Sequence, residues 1–366
     1  MVFTKMDYDN KLIPVTVVVP VYNMENYIER CVKALCDQSL KGMQIVLVDD
    51  GSRDGSGKIC DDIALKFPGI DVIHQKNKGL TGAWKAGSRI AKGEYIGYVD
   101  ADDTIDEDMF RRLYERAKEK NADIVCCGLV HEYEDGSQKP WTEQMELGCE
   151  SFAKDGLKDG STDDPPKTDT FDRIYKGLIN DGSFFGRRLM PNRVTKLTRR
   201  ELVLKNLDLC SDEVSIGEDY QFSLCMFLDA ERIEIIRDYY PYHYRMQNAS
   251  MTMKHDRDYM KKITVMRKNL LRISREKDAG FLKDQIWNDF LCLTVLHLKA
   301  IVYKQKDLPY KTLRNEMKKV LERRSVSWAL WHYDMPYLTK AEKLFIWLMR
   351  TEFYFGIYAA VRLYFR

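Results

Sequence analysis

Hydrophobic positions in the first third of the chain alternate between two periods. Ile13 to Val19 is a valine-rich run closed by Pro20, the pattern of a strand buried on both faces. Glu25 to Cys36 then places Ile28, Val32 and Leu35 on one helical face. The cycle repeats: a strand over Ile45–Val48, a helix over Lys58–Phe67, a strand over Asp71–His74, a helix over Thr81–Ala91. It continues with a strand over Tyr95–Val99, a helix over Glu107–Lys120 and a strand over Ile124–Val130. Such β-α-β alternation predicts a mainly parallel sheet with helices on both faces. From Glu132 to about Thr170 the pattern dissolves into polar residues and reads as a long surface loop. Order returns at Phe171–Ile179, Arg193–Val203, a helix over Gly217–Leu228 and a strand over Arg232–Arg237. Beyond Met253 the spacing becomes helical, over Asp256–Lys277 and Phe281–Tyr303. Two domains follow, 1–253 and an all-helical 254–366.

Composition narrows the class. The 366 residues are 45% hydrophobic and 31% charged, enough to build the core of a folded protein. A net charge of +2 gives no global reason to expect nucleic acid as a partner. Nine cysteines without CxxC spacing read as reduced thiols, which points to the cytoplasm. Met1 to Asn10 is polar and does not read as a signal peptide. No stretch reaches the roughly 18 apolar residues of a membrane span.

Two nucleotide signatures are excluded. No GxGxxG follows the first strand, and Gly55-Ser56-Gly57-Lys58 lacks the upstream glycine and following Ser/Thr of a phosphate loop. What remains is a set of strand ends. Pro20-Val21-Tyr22-Asn23-Met24-Glu25, Asp49-Asp50-Gly51-Ser52-Arg53-Asp54 and Asp100-Ala101-Asp102-Asp103 each close a strand. Parallel strands bring such ends to one edge, where α/β sheets bind ligands. A carboxylate there can accept the imide N–H of uracil, Tyr22 can face a base, and a second carboxylate can take a divalent cation.

The motifs PVYNxExYI, VDDGSxDGS, NxG, AKGEYI and VDADD, in this order and spacing, resemble those of a family-two glycosyltransferase of the bacterial surface-polysaccharide type. The likeness is strong from Ile13 to about Asp108. It runs more loosely to Ser250 through Lys196-Leu197, Gly217-Glu218-Asp219 and Tyr242-His243-Tyr244-Arg245. It implies an α/β GT-A fold and an inverting reaction dependent on Mn²⁺ or Mg²⁺. The donor would be a nucleotide sugar, with UDP expected, and the acceptor a glycan or lipid-linked glycan. The implied nucleotide pocket is Pro20, Val21, Tyr22 and Glu25. Asp50 would hold the base, and Lys76 or Lys78, beside Gly79, would lie near the base or diphosphate. Asp100 and Ala101 would meet the ribose. Asp102 would be the principal metal ligand; His243 is either a further ligand or an exposed strand residue. Arg245 would bind the diphosphate, with Asp219 as base and Glu218 in support. Asp49, Asp54 and Asp103 could instead simply shape a turn or cap a helix.

Two departures from the family stand out. Many relatives carry Ala-Arg-Asn after the NxG turn, where this chain has Ala83-Trp84-Lys85, so an indole alters either donor-sugar contacts or helix packing. The usual Trp-Asn-Lys-Leu appears as Val194-Thr195-Lys196-Leu197. The segment Tyr337–Arg366 mixes aromatic and basic residues. That suits a helix at the inner face of the cell membrane, or else a face for the catalytic domain or a second subunit, as in a homodimer. Two other readings compete with the transferase: an inactive family member serving as a membrane-associated partner, and a nucleotidyltransferase.

Overall fold

The computed structural model describes residues 12–141, 151–154, 168–246, 256–305 and 308–364. They form two compact units, Met1–Phe171 with Pro191–Asn248, and Asp172–Met190 with Ala249–Arg366. The helical unit thus reaches back to claim 172–190. The boundary expected near residue 253 lies outside the described residues, as does Ser250.

The first unit opens with β1 (Val15–Val21), α1 (Ile28–Cys36), β2 (Gln44–Asp49), α2 (Ser56–Lys66), β3 (Ile70–His74), α3 (Gly79–Arg89) and β4 (Tyr95–Tyr98). It continues through β5 (Thr104–Ile105), α4 (Met109–Lys120), β6 (Ile124–Cys126), β7 (Leu129–Glu132) and β8 (Gln138–Trp141). After β9 (Ser151–Ala153) and β10 (Thr168–Thr170), a short α5 (Phe171–Tyr175) passes into the second unit's segment, and the first unit resumes with β11 (Lys196–Arg199), α6 (Arg200–Asn206), α7 (Glu218–Asp229), β12 (Arg232–Ile235) and β13 (Tyr242–Arg245). Nine strands make one sheet in the order β10-β9-β12-β6-β11-β4-β1-β2-β3, and β5-β13-β7-β8 make a second. The run β4-β1-β2-β3 is parallel. Strand β11 enters antiparallel between β4 and β6.

β1 is buried along its whole length because both faces are covered. Val15, Val17, Val19 and Val21 share a core with Ile28, Val32 and Leu35 of α1 and Phe110 of α4. On the other face α3 lies so close that a Cβ on Gly87 would come within 2.4 Å of Val18 Cγ1. Three expectations are corrected. Pro20 does not end β1: it pairs in register with Val48, beyond the last β1–β4 pair, Val18 with Tyr98. Ile124–Val130 is not one strand but two in different sheets, separated at Cys127-Gly128. The polar stretch after Glu132 contributes β8, which pairs antiparallel with β7, and β9 and β10 of the large sheet.

The second unit contains α8 (Tyr259–Glu276), α9 (Lys283–Lys304), α10 (Tyr310–Leu321), α11 (Arg324–His332), α12 (Lys340–Arg350) and α13 (Tyr354–Tyr364). Against expectation, the stretch Gly280–Tyr303 is long and apolar enough to cross a membrane by length and composition. Some 72% of it is buried within the protein, as befits a core helix.

Candidate active site

The turn after β2 is built by its acids. Asp50 is buried, and its Oδ1 accepts from Gln75 Nε2 at 2.6 Å and from the Lys78 backbone N–H at 2.8 Å. Gly51, at φ +72°, packs so tightly that a Cβ would lie 3.0 Å from the Asn77 nitrogen, hence glycine. Asp49 turns the other way, accepting from Ser52 N–H at 2.9 Å and meeting His74 Nδ1 at 2.9 Å. Burial would raise its carboxyl, but these bonds win and hold it below its ordinary value. Asp49 is therefore a structural turn acid. Asp54 lies one residue before the Gly55 N-cap of α2 and accepts from the Ser56 N–H at 3.0 Å and the Ser56 hydroxyl at 2.6 Å. Glu25 accepts from Gly55 N–H at 2.7 Å; this candidate pocket residue ties the β1 loop to α2. Tyr22 is 40% exposed at the same edge, and Lys76, Lys78 and Gly79 are exposed beside it.

The acidic run after β4 is divided by direction. Asp103 is buried and receives the Tyr242 hydroxyl at 2.6 Å and the Arg245 backbone N–H at 2.8 Å. The same Tyr242 oxygen accepts from the Asp100 N–H at 3.1 Å. Strand β13 therefore shapes the acidic turn through one phenol. Burial, then Asp100 and Asp102, push the Asp103 carboxyl well above its ordinary value, and the Tyr242 and Arg245 bonds occupy both of its oxygens. Ala101 is buried. Burial also raises Asp102, and the nearby Arg245 acts in the opposite sense. The Arg245 guanidinium lies 4.8 Å from the Tyr27 ring centroid. His243 is half-buried on β13, where its ring nitrogens meet Asp106 at 2.8 Å and Gln138 at 3.2 Å.

A third group reaches the same edge. Gly217, at φ +71°, turns the chain into α7, whose first residues are Glu218 and Asp219. Arg193, 1% exposed, donates from one terminal nitrogen to Asp219 Oδ1 at 2.5 Å and from the other to Asp100 Oδ1 at 3.4 Å. Its guanidinium lies 5.9 Å from the Tyr98 ring centroid. Burial alone would lower Arg193, yet Asp219, Asp100 and Glu218 together hold it above its ordinary value. Burial lifts Asp100 to about 6, opposed by Arg193 and reinforced by Asp219 and Asp102. Burial, then Asp219, raise Glu218 to about 7. Lys196 is buried, with its ammonium on the backbone and side-chain oxygens of Asn192, so it braces the turn that carries Arg193. Trp84 settles as packing: it is fully buried, edge-on to Tyr98 and Phe222 at 6.1 and 5.3 Å.

The structure thus gathers Asp100, Asp102, Asp219, Glu218 and Arg245 into one electrostatic group. Asp50, Tyr22 and the β1 end lie along the same sheet edge, and His243 is engaged elsewhere. Sequence reasoning missed Arg193, Gln75 and the anchoring role of Tyr242. The available signal for Arg193 was its place just before Lys196-Leu197; its burial was not readable. Among the described residues, no three His, Cys, Asp or Glu side chains converge as a metal set. A hard cation that takes one or two protein carboxylates and completes its shell with phosphate oxygens fits Asp102, a half-buried carboxylate at this sheet edge.

Residues 16–192 match the family model for "Glycosyl transferase family 2". The chain is 33% identical over 238 residues to the glycosyltransferase EpsJ of Bacillus subtilis (strain 168), covering 65% of this chain and 62% of that protein. It is 35% identical over 190 residues to the glycosyltransferase GlyG of Streptococcus pneumoniae, covering 50% of this chain and 63% of that one. The chain therefore spans under two thirds of these relatives' length. Among solved structures, S. aureus TarS 1-349 in complex with UDP-GlcNAc superposes with a TM-score of 0.65 at 19% identity, covering 96% of this chain and 91% of that one; this likeness speaks to fold. With the acidic strand ends on one edge of a mainly parallel sheet, residues 16–192 resemble the "Glycosyl transferase family 2" domain, and the chain has a GT-A fold with a helical region after it.

Proposed function

We propose that the chain is an inverting glycosyltransferase moving a sugar from a UDP-sugar to a glycan or lipid-linked glycan in surface polysaccharide synthesis. The observation that carries this reading is the Arg193 bridge, 2.5 Å to Asp219 and 3.4 Å to Asp100. It joins an acceptor-side carboxylate to the nucleotide-side acids. Asp50 spends Oδ1 on Gln75 and Lys78 and keeps Oδ2 for a uracil imide N–H. TarS, the structural neighbour, is in complex with UDP-GlcNAc, which supports a UDP-sugar donor.

The chemistry is a single displacement. Asp219 takes the proton from an acceptor hydroxyl as that oxygen attacks the anomeric carbon. The bond from that carbon to the diphosphate oxygen breaks, and its electron pair leaves with UDP. Arg245 faces the charge that develops on the diphosphate. Asp102 would hold a Mn²⁺ or Mg²⁺ ion, which would supply Lewis-acid neutralisation of the same charge. The eight described cysteines form no disulfide, which suits a reducing cytoplasm, and we place the work at the inner face of the membrane.

The test is UDP release across a donor panel, with and without lipid-linked acceptor, paired with calorimetric titration of UDP and Mn²⁺. Asp219→Asn is expected to lower kcat by about a hundred- to ten-thousandfold while UDP still binds. Asp102→Ala is expected to abolish the Mn²⁺ dependence of UDP binding. Nucleotide binding untouched by Asp102→Ala sinks the metal assignment; no UDP release from any donor favours an inactive member.

A further inference from the structure

The helical unit carries an exposed strip that its own core does not use. Helix α12 opens with a capping box, Thr339 with Glu342, and buries Phe345, Ile346, Leu348 and Met349 on one side. Its other side presents Lys340, Lys343, Leu344 and Trp347 at helical spacing. Leu344 is 53% and Trp347 54% exposed. Exposed Phe353 and Phe355 follow in the turn into α13. Arg350, one turn past Trp347, lies 5.7 Å from the centroid of Trp331, a ring 65% exposed at the end of α11. Large rings left in water cost hydration free energy without return unless something covers them.

Charge says what covers them. Residues 309–366 hold eleven Lys and Arg against five Asp and Glu, a net +6; the whole chain sums to +2, so the remainder sums to −4. No ion pair to Lys340 or Lys343 occurs among the described residues. Protein interfaces admit Trp, Phe and Arg but are depleted of lysine. A lipid headgroup layer accepts all of them, with rings at the acyl boundary and lysine ammonium groups reaching up to phosphate.

We propose that the Lys340–Trp347 face of α12, with Trp331, Phe353 and Phe355 beside it, docks on an anionic phospholipid surface. The proposal deepens the membrane placement given above and rests on it. The docking strip presents its rings to the lipid and its cations to the phosphates. An acceptor anchored in that surface then reaches the enzyme by diffusion in two dimensions rather than three.

The full chain is floated with vesicles of phosphatidylcholine alone or with equimolar phosphatidylglycerol, without donor or acceptor. Wild type is expected to float with the anionic vesicles and to stay largely free of the neutral ones. Lys340→Gln with Lys343→Gln should weaken that partition by about fivefold for each lysine removed. Leu344→Ser with Trp347→Ser should weaken it by roughly tenfold. These side chains are exposed, so thermal midpoints should stay at the wild-type value. Wild type failing to float, variants floating as wild type, or a solution dimer dissolved by Trp347→Ser would each overturn the proposal. UDP titration of the same preparations separates the readings: flotation without UDP binding defeats the transferase alone, and UDP binding without flotation defeats the docking face alone.

Discussion

Arg193 shows how one side chain can join two halves of a site. A buried guanidinium spanning two carboxylates offers a planar fork that an ammonium cannot copy. Arg193→Lys is therefore expected to fold and to bind UDP while losing about a hundredfold in kcat through misplacement of Asp219; steady-state kinetics beside UDP titration check this. Arg193→Met leaves Asp100 and Asp219 facing each other without a counter-charge. It should cost about 3–5 kcal/mol in urea unfolding. Tyr242 makes a different kind of link, since its hydroxyl donates to Asp103 and accepts from the Asp100 N–H. Tyr242→Phe strands a buried acid and should cost about 1–3 kcal/mol, with a raised KM for donor as the acidic turn loosens. An unchanged KM would separate Tyr242 from the site.

Elements explain which parts of this arrangement were legible. The strands β1 and β2 and helices α1, α3 and α4 were readable because one period dominated each. Pro20 misled because a proline is tolerated where the neighbouring ladder has ended. Cys127-Gly128 misled because an apolar run does not show that a strand changes sheets. The placing of Asp50, Asp100, Asp102 and Asp219 at element ends was legible because each closes a strand or opens a helix; which strand-end acids merely shape a turn, as Asp49 does, was not. Arg193 and Tyr242 were not legible, since their partners are far away in sequence, and the contact of His243 with Asp106 likewise depends on the pairing of β13 with β5. Packing at α3 is a prediction of its own. Gly87→Ala would drive a methyl into Val18 and Val48, and β-branched side chains cannot swing aside. It should destabilise by about 1–3 kcal/mol, read as a lower urea midpoint with the slope unchanged.

For the whole molecule, the buried acids couple stability to pH. Glu218 titrates near 7 in the folded protein against an ordinary value of 4.5, so the folded state holds the proton more tightly. Its contribution is complete below about 4.5 and is lost as pH rises through about 7. The nucleotide-free protein should therefore lose thermal stability from pH 5 to pH 8, and Glu218→Gln should flatten that slope. A slope unchanged by the substitution would place its origin elsewhere. The antiparallel entry of β11 has a consequence in time. Because β11 runs against β4, its entry point lies at the exit of β4, which is why Arg193 meets Asp100 across 93 positions of sequence. As the ribosome delivers the chain, Asp100 and Asp102 arrive first, Arg193 follows, and Asp219 comes after it. The candidate site is thus among the last parts of the first unit to mature. Nascent chains that stop before β11 should have the parallel strands in place and yet no assembled base.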